Sequence, residues 1–137
     1  MTISAYISRV LSGYEGIEID TNHMDAGSDR YGLYKSPGRD CTEHIDGTHE
    51  ITEHFQFFAR QSSVSASARK EADEWLEDLT YWIDEYGYQS GFPELDARRE
   101  VIGLSITGAP YAMSVDDDEM LYQMSISITY LKEREGY

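Results

Sequence analysis

The chain has 137 residues, enough for one domain that buries roughly two thirds of the surface its unfolded form exposes. Hydrophobic residues make up 40% and charged residues 27%, which excludes the hydrophobic depletion of a disordered chain. Twenty-six Asp and Glu against 11 Lys and Arg leave a formal charge of -15, which repels phosphate backbones and anionic membrane surfaces and disfavours ordinary DNA binding.

In chain order, Ile3, Tyr6, Ile7, Val10, Leu11 and Tyr14 recur at three and four and predict a helix over about 3–13, with Thr2 as its cap and Gly13 at its end. "GIEID" predicts a short strand over 16–20, and "NHMDAGSDR" a polar loop. A strand over 31–35 is stopped by Pro37 and Gly38, and a second runs over 41–45. Asp46-Gly47 then suits a type I′ hairpin turn, in which both central residues accept positive φ. The return strand, 49–61, puts Ile51, Phe55, Phe57 and Ala59 on one face and Thr52, His54, Gln56 and Arg60 on the other. Phe58 is the one large apolar residue out of phase, so the second face is either wet or shared with a neighbour.

"SSVSAS" leads into the strongest element, a helix over about 67–86 with Ala68, Ala72, Trp75, Leu76, Leu79, Ile83 and Tyr86 as its apolar stripe and Gly87 as its stop. Its tryptophans, Trp75 and Trp82, read as packing. "YGYQSGFPEL" is a connector, 99–107 a strand alternating through Ile102, Leu104 and Ile106, and "GAPYAMSVDDDE" a loop. A final amphipathic strand spans 119–132, with Met120, Tyr122, Met124, Ile126, Ile128 and Tyr130 at every second position. The sum is a single α+β domain over 1–137, a mixed and mainly antiparallel sheet of long hairpin strands packed against two helices.

No motif in the chain carries catalysis. Cys41 is the only cysteine and has neither a disulfide partner nor the spaced cysteines of a zinc or redox site, which suits a reducing cytoplasm. His23, His44, His49 and His54 lack the helical HExxH spacing; His44 and His49 flank the turn and read as cross-strand packing. "VDDDE" at 115–119 lacks the spacing and glycine of an EF-hand. There is no nucleophile elbow, P-loop or dinucleotide fingerprint, so no enzyme, cofactor or metal is expected. The N-terminus has no basic start followed by an apolar stretch, and no apolar run approaches the roughly 20 residues of a spanning helix, so neither export nor membrane insertion is expected.

The two long strands raise a question of size. A compact domain of this length has a radius of gyration near ~14 Å, hence a diameter of roughly 37 Å, whereas ~13 extended residues reach ~43 Å. The runs 49–61 and 119–132 are therefore expected either to bend around the core or to project as a ribbon that a partner completes.

The succession "HIDGTHEITEHFQFFARQ", "ADEWLEDLTYWIDEYG", "GFPEL" and "LYQMSISITYLKE", over most of 31–132, resembles a group of small phage minor capsid or tail proteins. His44 stands where an aromatic is more usual. The resemblance implies a tail terminator, or tail completion protein, of a long-tailed bacteriophage or prophage. Such proteins have a mixed sheet flanked by helices and form a hexameric ring that caps the tail tube and joins it to the head. The implied partners are sister copies, the tail tube protein and a head-completion or connector protein. DNA passes through without specific binding, and the place is the virion, assembled in the host bacterial cytoplasm. On that footing the hairpin turn His44, Ile45, Asp46, Gly47, Thr48 and His49 is expected at a subunit contact, and Asp116, Asp117, Asp118 and Glu119 toward the lumen or tail tube. Two alternatives stay open: an acidic inhibitor, such as an immunity protein or DNA mimic, bound to a basic protein, and a head-tail connector or minor capsid component.

Overall fold

The computed structural model describes residues 1–15, 17, 19, 31–62, 65–115 and 119–133. Two helices, α1 (Ile3–Leu11) and α2 (Ala66–Ser90), accompany four strands: β1 (Tyr31–Glu43), β2 (His49–Ser62), β3 (Arg99–Val115) and β4 (Glu119–Lys132). The strands form one sheet in the order β1-β2-β4-β3, every neighbouring pair antiparallel. The fold is α+β, with both helices on one face of the sheet. Their apolar stripes share a single core with Leu33, Ile51, Phe55, Phe57, Leu104, Met124, Ile126 and Ile128.

Local chemistry sets the helix ends. Thr2 Oγ1 accepts from the Ala5 N–H at 3.1 Å, capping α1, and Ser65 Oγ does the same for the Ala68 N–H of α2 at 3.0 Å. The latter helix does not stop at Gly87; it continues to Ser90, and Gly91 ends it with φ 71° and ψ 173°, a positive-φ extended conformation that glycine alone adopts readily. Gly87 is there for space. A Cβ at this position would lie 2.5 Å from two ring atoms of Phe92, which folds back from the "GFPEL" connector against the helix. The same connector is tied to α1 by the Tyr6 hydroxyl, which donates to the Pro93 carbonyl at 2.7 Å. Tyr14, Tyr31, Trp75 and Trp82 interlock at centroid distances of 5.4–5.5 Å, so both tryptophans are packing groups.

Three strand expectations need correction. The segments 31–35 and 41–45 are one strand: Ser36, Pro37 and Gly38 make a bulge between Lys35 and Arg39, and pairing with β2 resumes beyond it. Because β1 is an edge strand, the missing N–H of Pro37 costs no ladder bond. The strand predicted over 99–107 runs on to Val115, through most of what reads as a loop, with four register irregularities against β4. Those bulges break the alternation: Val101, not Ile102, pairs with Tyr130 and is buried, while Ile102 is exposed. The strand predicted over 16–20 lies mainly outside the described residues.

Neither long strand projects as a free ribbon. β2 and β4 are the two inner strands, paired with each other from His49↔Lys132 to Ser62↔Glu119. Length is a property of the whole sheet, whose strands run 13 to 17 residues, about 46 Å for a 14-residue strand. The 25-residue α2, about 37 Å long, runs along its β3–β4 side. Asp73 accepts from the Tyr122 hydroxyl at 3.0 Å, and Asp84 accepts from the Ile106 N–H at 3.1 Å. A long helix thus covers a long sheet.

One charge sits inside this core. Glu53, on the buried face of β2, accepts from the Tyr130 hydroxyl at 2.7 Å and from Lys35 Nζ at 2.6 Å, across from the β1 bulge. Burial raises its pKa, but hydrogen bonds from Lys35 and Tyr130 and the charges of Lys35 and Arg39 outweigh that, so the carboxyl titrates below its ordinary value. Burial, reinforced by the neighbouring carboxylate, pushes Tyr130 up to about 12. The cluster locks the register of the β1–β2 hairpin.

Candidate subunit interface

The face of the sheet opposite the helices presents Thr52, His54, Gln56, Phe58 and Arg60 from β2 and Leu121, Gln123, Ser125, Ser127, Thr129 and Leu131 from β4. No inner-strand position from Thr52 to Arg60 or from Leu121 to Thr129 on this face is acidic; its carboxylates stand at the margins, Glu50 and Glu119 at the strand ends and Asp40 and Glu100 on the edge strands. The inner side chains bond to one another in rows across the strands. Thr52 and Thr129 share a hydrogen bond at 2.9 Å; His54 Nδ1 meets Ser127 Oγ at 2.7 Å, and its Nε2 meets Asp40 at 3.3 Å. Gln56 is the hub of the next row. Its Nε2 donates to Ser36 Oγ at 3.0 Å, and its Oε1 accepts from Gln123 Nε2 at 2.6 Å and Ser125 Oγ at 3.0 Å. Tyr111 extends that row, donating to Gln123 Oε1 at 3.1 Å. Half-buried polar groups with mutual partners cost little to cover, whereas a carboxylate there would carry a desolvation penalty.

At the Arg60 end of this face the polar rows give way to an apolar patch. Tyr34 and Phe58 pack edge-to-face at 5.4 Å and, with Leu121, Gln56 and Arg60, line a cavity of about 340 Å³. Phe58, the out-of-phase aromatic of the sequence, therefore has a place on the outer face.

The hairpin turn lies at the opposite end of β2. His44 N–H donates to the Thr48 carbonyl at 2.8 Å and Gly47 N–H to the His44 carbonyl at 3.0 Å. Gly47 has φ 89°, whereas Asp46 has no positive φ. The turn is thus not type I′ but a three-residue loop, a type I turn followed by a left-handed glycine. Asp46 fixes it by accepting from the Thr48 N–H at 2.9 Å and the Thr48 hydroxyl at 2.5 Å, bonds that also hold its carboxyl below the usual range. His44 faces Glu50 at 3.7 Å rather than His49, which pairs with Glu43 and Lys132. Ile45 is fully exposed at the apex. Thr48 and His49 are half-buried and Gly47 is buried, so of 44–49 it is His44, Ile45 and Asp46 that stand outward. Asp116, Asp117 and Asp118 lie outside the described residues; Glu119 begins β4, exposed, opposite Ser62.

Sequence reasoning located the turn and Phe58 but missed Tyr34, Leu121 and Gln56 as their neighbours, because strand order decides which residues meet. Among the described residues no group of three or more His, Cys, Asp or Glu is placed to hold a metal ion, and no helix is long and apolar enough to cross a membrane. No protein-family model matches the chain, and no curated protein matches it.

Proposed function

We propose that the chain is a structural subunit of a bacteriophage particle, a tail terminator of a long-tailed phage or prophage that closes into a ring of six copies, caps the tail tube and joins it to the head. The observation that carries this reading is the centre of the outer sheet face, where inner-strand positions 52–60 and 121–129 hold no carboxylate and Tyr34 and Phe58 are half-buried: charge depletion with aromatics is the composition of an interface core. Contacts through that face leave α2 in water. Its seven carboxylates, from Glu71 to Glu85, all exposed, repel a passing DNA duplex by like charge. The site of action is the virion, and the partners are sister copies, the tail tube protein and a head-completion or connector protein.

The test is negative-stain imaging of purified protein incubated with tail tubes. Rings seated at one end of the tubes are the expected result; tubes that stay bare, with a chain that stays single, reject the reading. The acidic surface of α2 favours a second reading, an inhibitor of a basic protein. It is distinguished by a tight one-to-one complex with such a protein and no self-association.

A further inference from the structure

Resting on that reading, the geometry points to a specific head-to-tail junction: the Ile45 tip of one copy enters the Tyr34–Phe58–Leu121 cavity of the next.

Both halves are preformed. The tip is held by the four hydrogen bonds around Asp46, Gly47 and Thr48, so Ile45 is offered without loss of backbone freedom on docking. An exposed isoleucine alone means nothing; this one stands on a rigid apex, and the same chain carries an apolar cavity to receive it. That cavity has a fixed floor, since Gln56 is tied to Ser36, Gln123 and Ser125, and a fixed aromatic wall in the Tyr34–Phe58 pair.

Charge agrees with the match. Beside the tip stand Glu43, Asp46 and Glu50, and the cavity is lined by Arg60, one of only 11 basic residues in the chain. Arg60 and the carboxylates beside the tip are of opposite sign, which offsets part of the repulsion between two copies of net charge -15, with Glu119 at the cavity end and Lys132 at the tip end acting the other way.

A chain cannot make this contact with itself. His49 and Phe58 lie nine residues apart on one paired strand, so tip and cavity are separated by about 30 Å of rigid sheet. Two complementary patches on different parts of a subunit make a heterologous junction, which forms a ring where the rotation between copies closes and an open filament where it does not.

The experiment is sedimentation velocity on the wild-type chain, on Ile45→Asp, on Phe58→Gln, and on an equal mixture of the two variants, to the highest soluble concentration and with tail tubes present. Losing one buried isoleucine or phenylalanine contact is expected to weaken self-association by about ten- to a hundredfold. The mixture discriminates further. Phe58→Gln keeps a working tip and Ile45→Asp a working cavity, so together they form one junction and stop at a dimer. Thermal melts check folding; if Phe58→Gln melts markedly lower, Leu121→Gln takes its place. Rings that persist undiminished in both variants, or a mixture that behaves as the sum of its parts, overturn this junction and leave the ring intact. A wild-type chain that neither self-associates nor binds tubes overturns both.

Discussion

Replacing Lys35 by Met removes the only side-chain cation within bonding distance of buried Glu53 among the described residues while keeping an unbranched chain beside the β1 bulge. The Glu53 side chain is 4% exposed, so water cannot replace the lost partner unless the hairpin opens, whereas Lys35 is 57% exposed and its ammonium is partly screened. Orphaning a fully buried charge costs about 3–5 kcal/mol, and a charge-assisted hydrogen bond contributes about 1.5–3 kcal/mol. Half-exposure of the lysine places the expected loss near about 2 kcal/mol at neutral pH, a fall of about 7 °C in Tm for a chain of this size. The pH dependence has a definite sign. The folded carboxyl titrates below its ordinary value of 4.5, so its contribution is complete above that value and is lost as pH falls through the folded pKa. The gap between variant and wild type is therefore widest at neutral pH and narrows in acid. Urea melts across pH measure it, together with the Lys35→Met/Glu53→Gln double-mutant cycle. A gap that does not change with pH, or a coupling below about 0.5 kcal/mol, refutes the ion pair as the lock on this hairpin.

Gly87→Ala ordinarily gains about 1 kcal/mol in a helix, but the clash with Phe92 reverses the sign, and thermal melts should show a net loss of about 1–2 kcal/mol. Gly47→Ala forces a side chain into φ 89° at the hairpin apex and should cost about 1–2 kcal/mol by the same assay. Asp96 is bonded by the Arg99 side chain and by the N–H groups of Arg98 and Arg99, and its carboxyl should titrate at about 2 when followed by NMR.

Helix periodicity made α1 and α2 legible, and strict alternation made β2 and β4 legible to within a residue. The edge strands were harder because bulges interrupt their alternation. Pro37-Gly38 reads as a stop in isolation, yet an edge position tolerates it, and Gly108, Ala109 and Pro110 read as a loop while β3 bends through them. Gly87 misled for another reason: its role is set by Phe92, a neighbour supplied by the connector that follows. The chain-length arithmetic correctly marked 49–61 and 119–132 as unusually long, but one-dimensional reach cannot tell a projecting ribbon from two inner strands of a long sheet. At the candidate site Ile45 and Phe58 were visible as residues, whereas the cavity needed the pairing of β1, β2 and β4 to bring Tyr34 and Leu121 to Phe58.

Covering of the outer sheet face by sister copies is tested most directly by native mass spectrometry over a concentration series, without and with tail tubes. A particle of six chains that grows in with concentration or on the tubes is the predicted result. A single 15.7 kDa chain under every condition contradicts it.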